Sequence, residues 1–232
     1  MTVARSLKVP RAVTKTVGVI ASADDLVRAQ RLRRRPDFFE LRLDGVVPNH
    51  DELDRLSAPL IITAREQGEG GLRRLTSDRR TRLLREFLPV AAYVDIELGS
   101  AAMMNDLLGE AKSRELKRII SVHDFSRAAK EEQMQQWLSS AGEFAPDVFK
   151  LATRTDSRAD VEELIAFFER NKKHTRIAAM GIGKLGPFCR RELVRRGSAL
   201  AYGHLGSAHV EGQLSLAELR RFLQVTPSSH RR

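Results

Sequence analysis

The feature that most constrains this sequence is a repeated alternation of short β-rich segments with segments of helical period. Segments rich in Val, Ile, Leu or aromatic residues are typical of strands. They cover residues 15–21, 38–44, 60–65, 93–98, 118–124, 148–154, 176–182 and 198–204. Helical spacing of apolar residues occupies 24–34, 79–88, 103–112, 130–141, 158–171, 189–197 and 214–223. Strands and helices that alternate in this way predict a parallel sheet.

The number of units then decides between the two common parallel architectures. Eight βα units within 232 residues favour a closed barrel over an open doubly wound sheet. The first strand lacks the Gly-rich fingerprint of a dinucleotide-binding fold, and no linker marks a second domain. We therefore predict an α/β protein: a single (β/α)₈ TIM barrel over residues 1–232, with its active site at the C-terminal end of the strands. We expect residues 1–13 and 226–232 to be loosely ordered tails.

The charge balance limits the class of partner. The chain has 40 Lys and Arg against 30 Asp and Glu, a formal net charge of +10. We interpret the arginine runs at 31–35 and 79–80 as solvated helix surfaces, and no interleaved aromatic residues indicate nucleic-acid binding. An anionic small molecule is the expected partner. The single cysteine, Cys189, excludes an internal disulfide, and no apolar run is long enough to span a membrane. We expect a cytoplasmic protein that binds neither nucleic acid nor membrane.

Five consecutive strands carry polar side chains on one face and apolar side chains on the other. The polar sets are Glu40, Arg42 and Asp44; Thr63 and Arg65; Asp95 and Glu97; Ser121 and His123; and Lys150 and Arg154. Charges on the inner face of a barrel are costly unless they are paired or used. Most of these residues lie late in their strands, at the end where barrel enzymes build their sites. A buried structural network is the alternative, but it requires five separate coincidences at one end of the barrel.

The residue types indicate carbonyl chemistry. A lysine among other cations in a low dielectric has a lowered pKa, so its neutral amine can attack a carbonyl carbon. A neighbouring histidine can transfer protons near neutral pH, and arginines can bind a carboxylate. The set suggests imine chemistry at Lys150 with His123 on an acidic, oxygenated carbonyl compound. No HxH or HExxH spacing indicates a metal site, so we expect imine chemistry rather than metal chemistry.

Seven segments in order resemble one known family. They are ELRLD (40–44), TAREQGEGG (63–71), VDIEL (94–98), SVHDF (121–125), FKLAT (149–153), GKLGPFCR (183–190) and EGQLS (211–215). Together they resemble the type I 3-dehydroquinate dehydratase family of the shikimate pathway, nearly from end to end. The resemblance implies that Lys150 forms an imine (Schiff base) with the substrate ketone. It also implies that His123 acts as general acid and base, that Glu69 orients His123, and that the reaction requires neither a metal nor an organic cofactor.

The same resemblance implies a substrate-binding set and a quaternary structure. Arg190 would bind the carboxylate of an anionic cyclic polyol ketone, and Gln213 would close over it from the final loop. Glu40, Arg42 and Arg65 would hold the ring hydroxyls and order the surroundings of the amine. Asp44, Asp95 and Glu97 would support those residues. The family is usually dimeric, so a homodimer is expected.

The final loop departs from the family pattern, which usually reads S/T-A-P-G-Q. Here His209 stands where a hydroxyl would contact substrate, and Glu211 stands in place of the proline. Cys189 replaces the usual serine before Arg190. We expect His209 still to face the substrate, but with a weaker clamp on it.

Two other functions compete with this interpretation. Another imine-forming barrel, of the class I aldolase type, would share the fold and the lysine. Such an enzyme would act on phosphorylated sugars, and no phosphate-binding Gly loop follows the seventh strand in an obvious form. A catalytically impaired barrel kept as a binding or assembly protein is the second alternative, and only the altered final loop supports it.

Overall fold

Eight parallel strands form one sheet in this computed structural model, which describes residues 14–225. The predicted tails at 1–13 and 226–232 lie outside the described residues. The strands are β1 (Lys15–Ile20), β2 (Phe38–Arg42), β3 (Leu60–Thr63), β4 (Ala91–Glu97), β5 (Lys117–Asp124), β6 (Val148–Arg154), β7 (Ile177–Ile182) and β8 (Leu200–His204). They pair in the order β7-β6-β5-β4-β3-β2-β1-β8. The predicted α/β barrel is confirmed, with each strand within about two residues of its predicted position at either end.

The helices cover the outside of the sheet. They are α1 (Ala23–Gln30), α2 (His50–Asp54), α3 (Ser77–Phe87), α4 (Leu98–Ala101), α5 (Asn105–Ser113), α6 (Glu131–Gly142), α7 (Arg158–Asn171), α8 (Gly186–Arg195) and α9 (Leu216–Val225). The hydroxyl of Ser22 caps α1 by accepting a hydrogen bond from the backbone N–H of Asp25. That helix ends at Gln30 rather than at the predicted residue 34. A proline stands at position 36, and a proline disfavours helical geometry in the residue before it. No helix in residues 14–225 is long and apolar enough to cross a membrane.

The barrel closes at a seam between β7 and β8. The backbone N–H of Ala199 donates to the carbonyl of Ile177 at 2.8 Å. The hydroxyl of Ser198 accepts from the N–H of Ala179 at 3.1 Å and is itself buried. A serine side chain therefore satisfies a backbone group that a regular ladder would otherwise pair, and the cylinder is nearly complete.

Alternation along the strands produces two apolar layers. Phe39 and Leu41 of β2 point outward and pack against the helices, in the larger of the two clusters. Val17, Ile61 and Val148 point inward and fill the N-terminal half of the barrel interior. The charged side chains occupy inward positions two or four residues later on their strands, as Lys150 does after Val148 and Arg65 after Ile61. The apolar layer thus forms the base on which the polar site rests.

Arg80 is a departure from the sequence interpretation. The run at 79–80 was expected to be solvated, and Arg79 is exposed, but Arg80 is only 2% exposed. Arg80 occupies the buried stripe of α3 with Leu83, Leu84 and Phe87, a position that helical spacing normally gives to an apolar residue. Its Nε donates to the carbonyl of Ala64 at 2.7 Å, and its guanidinium pairs with Glu97. The exception follows from the buried carboxylate that needs a counter-ion.

Candidate active site

A pocket opens at the C-terminal ends of the strands and contains about 540 Å³ of space between atoms, including its mouth. All nine residues proposed from the sequence line it: Glu40, Arg42, Arg65, Glu69, His123, Lys150, Arg190, His209 and Gln213. Val19, Phe125, Met180, Ile182 and Tyr202 are among the other lining residues. Its walls therefore combine one apolar surface with a dense set of charges, as is usual for a site that orients a polar ligand.

Lys150 lies at the bottom of this pocket, with 3% of its surface exposed. Its Nζ is 2.9 Å from Oε1 of Glu40 and 2.8 Å from Oδ2 of Asp95. The same nitrogen lies 4.1 Å from the centroid of the Tyr202 ring. From the sequence we expected an amine among cations, with Asp95 in a supporting position. The nearest groups are instead two carboxylates and a ring face, all of which attract a positive charge.

A buried network links Asp95 to the neighbouring strands. Arg65 donates to Asp95 at 2.9 Å, to Glu97 at 3.2 Å and to the hydroxyl of Ser121 at 2.7 Å. Ser121 in turn donates to Asp95 at 2.6 Å. Burial opposes ionisation of Asp95, but Arg65 and Lys150 outweigh it and hold the pKa of this carboxyl well below its usual range. Asp95 is therefore a fixed negative charge beside the lysine.

Asp44 supports the rim of the pocket although it is fully buried. Its carboxylate accepts from Nε and a terminal nitrogen of Arg42 at 2.9 and 2.8 Å. It also accepts from the backbone N–H groups of Arg65 at 3.1 Å and Leu72 at 2.8 Å. Arg42 reaches the carbonyl of Gly70 at 2.9 Å. One carboxylate thus joins β2 to the loop that carries Glu69.

Glu69 and His123 form a close pair at the mouth. Oε2 of Glu69 accepts from the backbone N–H of His123 at 2.9 Å and lies 3.1 Å from its Nδ1. Glu69 ends a short 3-10 turn that closes at Gly70, whose φ is +87°. A Cβ at residue 70 would lie 2.7 Å from the Phe125 ring, so both the conformation and the space require glycine. The turn sets the carboxylate against the imidazole.

Burial and charge set the protonation of this pair. Burial raises the pKa of Glu69 to about 7, with Arg65 opposing the shift. Burial, together with the cations of Arg65 and Lys150, holds the pKa of His123 well below its usual range. When Glu69 is ionised, its oxygen requires a proton on Nδ1, which leaves Nε2 with a free lone pair. Protonation of Glu69 reverses that hydrogen bond and moves the imidazole proton to Nε2.

Arg190 provides a positive charge without a carboxylate partner among residues 14–225. It lies on α8, is 7% exposed and donates through Nε to the carbonyl of Gly181 at 2.9 Å. Burial lowers the pKa of Arg190 to about 10. An unpaired buried guanidinium facing a pocket is suited to bind an anion there. The adjacent Cys189 is fully buried with the pKa of its thiol raised by burial to about 12, so it is a packing residue.

The loop between β8 and α9, residues 205–215, lies across one side of the pocket. Nε2 of His209 is 3.2 Å from Oδ2 of the buried Asp25 near the start of α1. The backbone N–H of His209 donates to the Gln213 side-chain oxygen at 2.9 Å. The carboxylate of Glu211 is 3.4 Å from Arg154 and does not line the pocket. The two departures that lie in the final loop are thus both paired, His209 with Asp25 and Glu211 with Arg154.

Tyr202 and Asp95 are the residues that the sequence reasoning failed to place against the lysine. Tyr202 lies on β8 with Leu200 in the inner apolar cluster. The alternation used for the five polar strands applies to β8 too, where Leu200, Tyr202 and His204 share a face. Applied to β8, the same alternation predicts that the Tyr202 ring faces the barrel interior.

Comparison with known proteins agrees with the geometry. A model of the family described as Type I 3-dehydroquinase matches residues 16–229. A 3-dehydroquinate dehydratase of Thermococcus gammatolerans is 30% identical over 217 residues, which cover 89% of this chain and 96% of that protein. The Enterococcus faecalis 3-dehydroquinate dehydratase structure has a TM-score of 0.81 at 26% identity and covers 96% of this chain and 98% of its own.

A second solved structure is similar over most of both chains. The type I 3-dehydroquinate dehydratase of Clostridium difficile with covalent modified comenic acid has a TM-score of 0.80 at 26% identity. The alignment covers 92% of each chain. The similarity therefore extends over the barrel rather than over one motif.

Proposed function

Because the chain belongs to the type I 3-dehydroquinase family, a family of lyases, we propose that it dehydrates 3-dehydroquinate through an imine on Lys150. The family match favours this reaction over the aldolase alternative. The homodimer and the cytoplasmic location stay predictions.

One observation supports the imine proposal above the others. Lys150 is a buried lysine at the bottom of a pocket whose mouth holds His123 and the unpaired Arg190. On the sheet, Ser121 pairs with Lys150 and His123 pairs with Ala152, so His123 lies one inward position nearer the mouth. A carbonyl compound that reaches the amine therefore has the imidazole beside it. The Clostridium difficile protein was crystallised with covalent modified comenic acid, and a covalent intermediate is what we propose for this chain.

The first half of the proposed reaction forms the imine. Lys150 must lose a proton before it attacks, and the carboxylates of Glu40 and Asp95 are the groups in contact with its Nζ. The amine adds to the ketone carbon of the substrate and gives a carbinolamine. His123, which takes up at Nε2 the proton that Lys150 released, donates that proton to the carbinolamine hydroxyl; water leaves, the nitrogen lone pair forms the C=N bond, and the imidazole is neutral again. The product of these steps is an iminium ion.

The second half removes water from the ring. The iminium withdraws electrons and acidifies the adjacent C–H, so Nε2 of His123 can take that proton and leave an enamine. The enamine pushes out the β-hydroxyl group, which receives the same proton from His123 and leaves as water. Hydrolysis of the remaining imine releases 3-dehydroshikimate and restores the amine. Glu69 keeps the imidazole in the tautomer that starts this sequence.

The substrate carboxylate would bind Arg190. That guanidinium has no competing carboxylate in the described part of the chain, so an incoming anion meets it unpaired. Arg42 and Glu40 face the same space and offer donors and acceptors for ring hydroxyls. His209 and Gln213 would cover the ligand from the final loop.

The test is borohydride trapping. The protein is incubated with 3-dehydroquinate and sodium borohydride, the intact mass is measured, and the modified peptide is mapped. We expect one adduct, on Lys150. In parallel assays without borohydride, we expect the absorbance of the conjugated product to increase with time. An adduct at another lysine, or turnover that survives Lys150→Met, would overturn the imine proposal.

Lys117 supplies the matched control. It also lies on a strand and over a tyrosine ring, 5.8 Å from the Tyr93 centroid, but it is exposed at the opposite end of the barrel. Lys117→Met makes the same chemical change as Lys150→Met. It should keep both the adduct and the turnover.

A further inference from the structure

We propose that Tyr202 is a further catalytic residue, whose ring face stabilises the positive charge on the Lys150 nitrogen while the imine forms. This inference rests on the proposed function and deepens it. The ring centroid lies 4.1 Å from Nζ, well within the range of a cation–π contact. Tyr202 is 4% exposed, so water does not screen the contact.

The unpaired hydroxyl of Tyr202 indicates that the ring is the functional part of this side chain. The phenolic oxygen is buried and has no hydrogen-bond partner among the described residues. A buried unpaired hydroxyl is unfavourable, and it contributes nothing to holding the lysine. What the lysine contacts is the aromatic face, which carries the negative end of the ring quadrupole.

The number of N–H groups on the reacting nitrogen explains why a ring is useful there. An ammonium group has three N–H donors, two of which point to Glu40 and Asp95. A protonated imine has one N–H, so it keeps at most one of those directed hydrogen bonds. Attraction to a ring face depends on charge and distance rather than on a donor. The Tyr202 ring is therefore the contact that persists when the ammonium becomes an iminium.

The step that benefits is loss of water from the carbinolamine. In that step the C–O bond breaks, its electron pair leaves on oxygen, and a proton from His123 completes the water molecule. The nitrogen lone pair forms the C=N bond, and the nitrogen changes from neutral to positive. A ring face that attracts cations lowers the free energy of the charged product relative to the neutral carbinolamine. Removal of the ring should therefore reduce the steady-state amount of imine.

The experiment compares Tyr202→Phe, which keeps the ring, with Tyr202→Leu, which removes it. The trapped fraction of Lys150 is measured by intact mass at saturating 3-dehydroquinate, beside kcat and KM. We expect Tyr202→Phe to stay within about threefold of the wild type. We expect Tyr202→Leu to lower the trapped fraction and kcat by roughly 5- to 30-fold relative to Tyr202→Phe, which corresponds to about 1–2 kcal/mol and spans cation–π contacts from exposed to desolvated.

Two further measurements separate electrostatics from packing. Fluorinated phenylalanines at position 202 weaken the ring quadrupole with little change of shape. The kcat and the trapped fraction of Lys150 should therefore fall with each added fluorine. This series tests the proposal even if Tyr202→Leu does not fold. Tyr93→Leu removes another buried tyrosine ring from the N-terminal end of the same interior and should leave the trapped fraction unaltered.

Each outcome bears on one proposal or on both. Equal trapping in Tyr202→Phe and Tyr202→Leu, or no response to fluorination, would overturn the role of Tyr202 alone, because the wild type still forms its adduct. Absence of any adduct in the wild type would overturn the imine and, with it, the role of Tyr202.

Discussion

Replacement of Glu69 by glutamine should stabilise the protein at neutral and alkaline pH. Both hydrogen bonds from His123 reach a single oxygen of Glu69, at 2.9 and 3.1 Å. The amide oxygen of glutamine can accept both, so the exchange keeps the geometry and removes the titrating carboxyl. The remaining difference is the free energy of ionising a carboxyl in a buried position.

The magnitude follows from the raised pKa of Glu69. The folded protein holds this proton up to a pKa of about 7, whereas the ordinary value is 4.5. Between these two pH values the unfolded chain releases a proton that the folded state keeps. The contribution of Glu69 to the free energy of unfolding is therefore fully present below pH 4.5 and is lost as the pH rises to about 7. At 1.36 kcal/mol per pH unit, the total loss is about 3 kcal/mol.

Urea unfolding of the wild type and Glu69→Gln between pH 4.5 and 8, followed by circular dichroism, measures this difference. The variant should gain about 3 kcal/mol relative to the wild type across that range. Contributions from His123 and other shared groups largely cancel in the comparison. Glu66→Gln, an exposed carboxyl in the same loop, controls for the chemical change itself. A stability difference between wild type and Glu69→Gln that is flat with pH would refute the reasoning.

Four other predictions follow from the site. The kcat/KM of the wild type should fall about tenfold per pH unit below about pH 7, because protonation of Glu69 moves the imidazole proton onto Nε2; a pH–rate profile without that limb contradicts the tautomer assignment. Arg190→Met should raise KM by about 100-fold while raising the unfolding temperature of the unliganded protein, because it removes an unpaired buried charge. Asp25→Asn and His209→Ala should each raise KM several-fold, and the double variant should be no worse than either, since the same contact between His209 and Asp25 is lost in all three; additive effects in the double-mutant cycle would argue against the pair. Cys189 should resist a thiol reagent at pH 8 in the native protein and react fully in urea, and fast labelling of the native protein would contradict its burial.

The sequence contains enough to predict the fold because its two periods alternate along most of the chain; only the connection between β2 and β3, where the structure has the short helix α2, lacked a predicted helix. Apolar residues recur at a period of two in the strands and near 3.6 in the helices, and eight units joined by short connections favour the closed parallel barrel over an open doubly wound sheet. Helix ends were less predictable. The pattern extended α1 to residue 34, whereas the structure ends it at Gln30, since periodicity continues into residues that backbone geometry excludes from the helix.

The direction in which a side chain points could be predicted from the alternation within its own strand. Contacts between side chains of different strands could not be predicted in this way. The alternation of β2 places Glu40 inward, but nothing in that strand shows that Glu40 and Asp95 converge on one nitrogen of β6. The prediction that Arg80 is solvated was wrong for a different reason. Its sequence neighbours are charged, so the run looks solvated, and only the helical stripe with Leu83 and Leu84 reveals that it is buried.

The charge network also has a consequence for how the chain acquires its structure. Lys150 is bonded to carboxylates 110 and 55 residues earlier in the sequence. A cut in the connection between β4 and β5 would leave both carboxylates in one fragment and the lysine in the other. Neither fragment could bury its part of the network without exposing an uncompensated charge to an apolar interior. The two halves must therefore assemble before water is excluded from the interior of either one. Burial of Lys150 on β6 then coincides with closure of the whole barrel, and a stable half-barrel intermediate is unfavourable.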